Sequence, residues 1–108
     1  MERIWRGEVK MNVIKRDGRS VSFDKDKIKN AVLSAFKEVD GAITQEAKNK
    51  ASEIASYIGA LNNEFISVEN IQDIVEEKLM ASKRKDVAKV YVIYRNDRTR
   101  EREKHSNI

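Results

Sequence analysis

Residues 13–28 read VIKRDGRSVSFDKDKI, and the division of this stretch decides the fold. Asp17-Gly18 lies between two short runs with β-branched residues. That is a strong short-range hairpin signal, because both central positions of the favoured two-residue turn need positive φ. Asp24 precedes a long periodic segment and fits an N-cap, its carboxylate accepting a backbone N–H left over in the first helical turn. The stretch thus divides into strand, turn, strand and helix. Chemically, Lys15, Arg16, Arg19, Lys25 and Lys27 collect beside one turn and one helix start, where anions such as phosphate bind well.

Working outward, strand alternation sets Val13 and Lys15 against Ile14 and Arg16, and puts Val21 and Phe23 on one face of the return strand. The hairpin then offers apolar residues on one side and charged ones on the other. Two strands alone are marginal in water, so helices must cover them. A first helix is expected from Lys25 to about Val39, with Ile28, Ala31, Val32, Ala35, Phe36 and Val39 forming an apolar stripe. Gly41 is available for a left-handed cap at its end. Thr44 is a candidate N-cap for a second helix to about Ile58, buried along Ala47, Ala51, Ile54 and Ile58 and stopped by Gly59. Gly59–Ile66 is expected to be a loop. Ser67 is the candidate N-cap of a third helix to about Ser82, with Val68, Ile71, Ile74, Val75 and Leu79 inward. Ser82–Asp86 separates it from a fourth segment in which Val87, Val90, Tyr91 and Tyr94 recur at helical spacing. VYVIY in isolation could be a strand. Ala88, Lys89 and the following RNDRTREREK favour helix, through propensity and opposite charges at short spacing, with fraying after about Lys104. The expected class is α+β, mainly helical: a short β-hairpin sheet capping a bundle of about four helices.

The chain has 108 residues, enough for one core, and 40% of them are hydrophobic against 37% charged. No cysteine is present, which removes disulfides, thiolate nucleophiles and thiolate zinc sites. The one histidine, His105, lies in a charged tail, so the residues of a metal or nucleophilic catalytic set are missing. Neither GxxxxGK[ST] nor GxGxxG occurs. The acid pairs Asp24/Asp26 and Glu76/Glu77 read as helix surface, and no active site is expected. The formal charge of +4 and a pI near 9.4 favour polyanions weakly, and acids interleaved with the basic residues argue against nucleic acid as the partner. MERIWRGEVK lacks an apolar core of signal-peptide length. A cytoplasmic location without membrane attachment follows as an expectation. Met11 could be a natural start, making the first residues an upstream extension.

Phosphate recognition is the better prospect. A triphosphate needs convergent cations and N–H donors in place of its water and counterions. Lys15 and Arg16 of the first strand, Lys27 of the first helix, and Lys89 or Arg95 of the last could converge, with Val13, Val21 and Phe23 flanking a purine. From spacing alone the same residues fit a solvent-facing strand over ordinary core equally well.

VIKRDGRSVSFDKDKI, then SVENIQDIVEEKL (Ser67–Leu79), then VAKVYVIYRNDR (Val87–Arg98) resemble, in that order, the signature blocks of the ATP-cone domain, over roughly Val13 to Arg98. The resemblance implies a hairpin sheet over about four helices. It also implies an allosteric, regulatory nucleotide-binding module such as stands at the N-terminus of ribonucleotide reductases, where ATP activates and dATP inhibits through subunit assembly. Its partners would be ATP or dATP as effector, Mg²⁺ carried with the triphosphate, the catalytic domain or subunit of a reductase, and further copies of itself. By motif position, Lys15, Arg16 and Lys27 would meet phosphates. Val13, Val21 and Phe23 would border the base, and Asp24 would be a polar residue near the nucleotide. Lys89 and Arg95 would complete the cradle. Val68 and Gln72 stand where reductase cones can carry a hydroxyl residue and a histidine, a departure that bears on sugar and base contacts and on the number of nucleotides held. Cones also occur in a transcriptional repressor behind a four-cysteine zinc ribbon, which the lack of cysteine argues against. YRNDRTREREKHS resembles the exit from a cone into an anaerobic, glycyl-radical reductase. Residues 1–12 would then be an extension, 13–98 the cone and 99–108 a charged exit. Rival classes are a small nucleic-acid-binding module using the basic hairpin and a docking domain that binds no nucleotide.

Overall fold

Val13 is paired on both sides. In the computed structural model, which describes residues 11–61 and 63–106 with side chains through Asp97, β1 (Asn12–Ile14) runs antiparallel to β2 (Ser20–Ser22) and parallel to β3 (Phe65–Ser67). The order is β2-β1-β3. The register sets Val13 opposite Val21 on one side and Ile66 on the other. β3 occupies part of the stretch expected to be a loop. It is parallel to its neighbour, so helices α1 (Lys25–Asp40) and α2 (Gln45–Gly59) form the long crossover such pairing needs. Met11 and Asn12, assigned by sequence to the leading extension, belong to the sheet and core. Phe23 donates its N–H to the Met11 carbonyl (2.9 Å), and Met11 is buried. MERIWRGEVK lies outside the described residues.

The hairpin closes differently from the expected two-residue turn. Gly18 N–H donates to the Lys15 carbonyl (2.9 Å) and Lys15 N–H to the Arg19 carbonyl (2.8 Å), which centres the turn on Arg16 and Asp17. Gly18, at φ 90°, then returns the chain to β2. A turn followed by a left-handed glycine matches strand twist with three loop residues.

The helix starts follow their caps. Asp24 accepts from Asp26 N–H (3.0 Å), Thr44 from Ala47 N–H (3.1 Å) and Ser67 from Asn70 N–H (3.0 Å). Ser67 is at once the last residue of β3 and the cap of α3 (Val68–Ala81), so strand passes into helix without a loop. Gly41 takes the left-handed cap of α1 at φ 79°. Gly59 does not stop α2 by that route. It is the last helical residue, and a Cβ there would sit 3.5 Å from the Phe23 ring and 3.2 Å from Lys25 Cε. α4 (Lys85–Ser106) is helical through VYVIY and starts two residues before the expected Val87. It continues past Lys104, and residues 107–108 lie outside those described.

The class is α+β and mainly helical. α1 packs on α2 and α4, and α4 on α3. Phe36, Ile54, Ile58, Leu79, Val32, Val75 and Val87 are fully buried between them, and the core holds no buried polar residue among those described. The stripes expected on α1 to α3 are the ones buried, except that Ala31, Val39, Val68 and Ile74 are only half-buried. The sheet lies across one end of α1 and α3, and this arrangement opens a cavity between sheet and bundle.

Candidate functional site

The cavity, of about 450 Å³, opens to solvent between the hairpin, the start of α1, the start of α3 and the middle of α4. Its size falls within the range of small-molecule sites. Its floor is apolar: Val13 and Val21 from the sheet, Phe23, Ile28 and Ala31 beside and along α1, and Val68, Ile71 and Val75 from α3. Period-two alternation puts Lys15 on the same side as Val13, so the hairpin does not divide into an apolar and a charged face as expected. Lys15, Arg16 and Lys27 all line the cavity. Lys27 is in the first turn of α1, whose N-terminal N–H groups and positive dipole end lie beside it.

Of the other early cations, two are directed elsewhere. Arg19 folds back on Asp17, whose carboxylate accepts from its N–H (3.0 Å) and its Nε (2.8 Å). The backbone N–H of Arg19, and then its side chain, hold the Asp17 carboxyl below its ordinary range. Lys25 lies along Gly59 at the end of α2.

Nine of the eleven sequence-chosen residues meet here: Val13, Lys15, Arg16, Val21, Phe23, Asp24, Lys27, Val68 and Gln72. Lys89 and Arg95 are not in the lining. Lys89 is exposed and two residues before Tyr91, which at 3.6 residues per turn puts it on nearly the opposite face of α4. Arg95 lies behind the wall. Its guanidinium pairs with Asp73 (2.9 Å) and Glu76 (2.9 Å), and its Nε donates to Gln72 Oε1 (3.1 Å). The same Gln72 oxygen accepts from Arg16 Nη2 (2.9 Å), while Arg16 Nη1 binds Glu69. Gln72 therefore ties the hairpin loop to α4.

Sequence reasoning does not find Ser22, Asn30, Ser34, Tyr91 and Tyr94, which supply neutral hydroxyl and amide groups to the wall. The two tyrosines carry a signal, since they lie three residues apart and each bears a hydroxyl on an otherwise apolar stripe. Helical spacing alone marks them as core. Burial pushes the Tyr91 phenol up to about 12, an effect that the nearby Arg95 charge only partly offsets. The phenol is thus neutral at physiological pH, able to donate and accept. Among the described residues the lining holds one carboxylate, Asp24, and no group of three or more metal-ligating side chains forms. A divalent ion here would have to be held mainly by oxygens brought with an anion. No helix among those described is long and apolar enough to cross a membrane.

Known proteins are similar to this chain over most of its length. The family described as the ATP cone domain matches residues 11–100. An anaerobic ribonucleoside-triphosphate reductase of Haemophilus influenzae is 38% identical over 96 residues, covering 89% of this chain and 14% of the reductase. A vitamin B12-dependent ribonucleoside-diphosphate reductase of Thermoplasma acidophilum is 40% identical over 96 residues, covering 84% of this chain and 12% of that protein. A ribonucleoside-diphosphate reductase subunit alpha of Chlamydia pneumoniae is 32% identical over 109 residues, covering 89% and 10%. The chain thus spans only a small fraction of the length of these relatives.

Proposed function

This chain belongs to the ATP-cone family, and from that premise we propose that it is a nucleotide-sensing regulatory domain. It binds ATP or dATP and thereby controls the activity and oligomeric assembly of a ribonucleotide reductase. One observation carries the reading: Lys15, Arg16 and Lys27, from a hairpin and a helix start, face a single cavity with an apolar floor. Phosphates would be met by these three cations and by the start of α1. The adenine would lie against Val13, Val21 and Phe23. Val68 and Gln72 would border the sugar, and Asp24 would stand near the nucleotide. Arg95 would act through Gln72, and Lys89 is carried only by motif position. Mg²⁺ would enter with the triphosphate, coordinated by phosphate oxygens and water. Residues 13–98 would be the regulatory unit, 1–12 and 99–108 its flanks, and the setting cytoplasmic.

The proposed chemistry is linkage rather than catalysis. ATP and dATP differ by a 2′-hydroxyl, so they can be distinguished only if the conformations or assemblies of the protein bind them unequally. The neutral wall formed by Ser22, Asn30, Ser34 and Tyr94 supplies groups suited to a ribose hydroxyl. The relatives span several reductase types, so the proposal rests on what they share, a reductase as the regulated enzyme. The anaerobic triphosphate type is the one that the end of the chain resembles. Titration calorimetry of the 108-residue chain with ATP, dATP and GTP tests binding, and sizing chromatography with each nucleotide tests assembly. Saturable binding of an adenine nucleotide is expected. Absence of heat with all three, from a folded sample, would remove the reading.

A further inference from the structure

We infer that Glu69, in the first turn of α3, is a built-in competitor for the cavity arginine, so that a polyphosphate binds by displacing a carboxylate. This rests on the nucleotide reading above. Both terminal nitrogens of Arg16 are already engaged, Nη1 by the Glu69 carboxylate and Nη2 by Gln72 Oε1 at 2.9 Å. A phosphate oxygen pair asks for the same planar fork of donors that a carboxylate takes. Arg16 therefore cannot turn fully to a phosphate while Glu69 holds it.

The two holders differ in how easily they let go. Glu69 is 57% exposed, so its carboxylate can rotate into water without opening the core. Gln72 is half-buried and its oxygen is shared with Arg95 Nε at 3.1 Å, so it remains in place as the guide for Arg16. Arg95 gives the contrast. Its two carboxylates lie 2.9 Å away, its side chain is only 16% exposed, and it does not line the cavity. That cluster holds the helices together, whereas the Arg16–Glu69 pair lies at the cavity edge where an anion would arrive. Glu69 itself is not in the lining, so its effect on an anion would run mainly through Arg16. The consequence is a lowered affinity for any ligand that uses Arg16, and a neutralised arginine in its absence.

The test is a double-mutant cycle by calorimetry with ATP: the unaltered chain, Glu69→Gln, Arg16→Ala and the double variant, each checked for folding by circular dichroism. Glu69→Gln keeps the shape and removes the charge, and should bind ATP about two- to fivefold more tightly, the range for releasing an exposed ion pair. In the Arg16→Ala background the gain should vanish. Glu69→Ala serves as a second variant should the glutamine disturb the start of α3. Equal or weaker ATP binding by both Glu69 variants overturns the competitor, and so does an undiminished gain without Arg16, which would mark a through-space charge effect. Lack of ATP binding by all the folded proteins overturns the nucleotide reading itself, and the competitor with it.

Discussion

Lys15 and Lys27 reach the cavity from different pieces of backbone, one just past β1 and one in the first turn of α1. If a triphosphate lies between them, each supplies a charge-assisted contact that the other cannot replace. Lys15→Ala and Lys27→Ala should each weaken ATP binding by about 1–3 kcal/mol, measured by calorimetry, whereas Lys89→Ala, on the far face of α4, should change it little. Unchanged affinity in both cavity variants would show that the anion lies elsewhere. Tyr91 makes a second, independent prediction. Its phenol is pushed up to about 12 by burial, against the ordinary 10.0, so between those pH values the unfolded chain loses this proton and the folded one keeps it. Folded stability should therefore fall as pH rises from about 10 to about 12, by roughly 1–3 kcal/mol. Urea unfolding of the chain and of Tyr91→Phe across that window checks the sign. The phenylalanine variant, with no proton to lose, should show a shallower decline.

Glycine separates two kinds of helix end. At Gly41, φ is 79° and nothing lies within 4 Å of where a Cβ would sit, so the backbone alone selects glycine. Gly41→Ala should cost about 1 kcal/mol in urea unfolding, the strain of a left-handed L-residue. Gly59 has ordinary helical geometry, and its added Cβ would meet the movable end of Lys25 and, at ordinary contact distance, the Phe23 ring. Gly59→Ala should be neutral or stabilising by up to about 1 kcal/mol, because alanine restrains the helix better. The same contrast explains which elements could be read from sequence. Caps and apolar stripes are local, and Asp24, Thr44 and Ser67 each announce a helix within three residues of itself. β3 could not be read that way. Phe65–Ser67 is too short to show a period, and it becomes a strand only because β1, more than fifty residues earlier, lies alongside it. The hairpin was legible as a hairpin but not in its turn, since Asp17-Gly18 fits both a two-residue loop and the three-residue loop that forms.

Across the whole molecule, distant ends are drawn together by side chains that carry no pattern. Arg84, in a stretch that reads only as a separator, binds Asp40 at the end of α1 (2.7 Å), Glu46 at the start of α2 (2.9 Å) and Asp86 (3.3 Å), and lies 5.4 Å from the centre of the Phe36 ring. Lysine cannot reproduce that planar fork, so Arg84→Lys should lower the melting temperature, and the deficit should shrink in high salt as the ion pairs are screened. The site has the same character. Its hairpin cations and the apolar Val13, Val21 and Phe23 of its lining were legible as candidates because they are close in sequence, while Tyr91 and Tyr94 enter it only through the way α4 packs against α1 and α3. The cavity thus has walls from the sheet and three helices, and an occupant should tighten them jointly. Binding only the native state stabilises by mass action, about 2.7 kcal/mol at a concentration 100 times Kd. For a domain of this size that corresponds to a rise in Tm of roughly 10–20 °C. ATP at that concentration should give such a shift by scanning fluorimetry, and Lys15→Ala should give much less at the same concentration. A shift of equal size in that variant would place the stabilising nucleotide outside the cavity, whatever its effect on assembly.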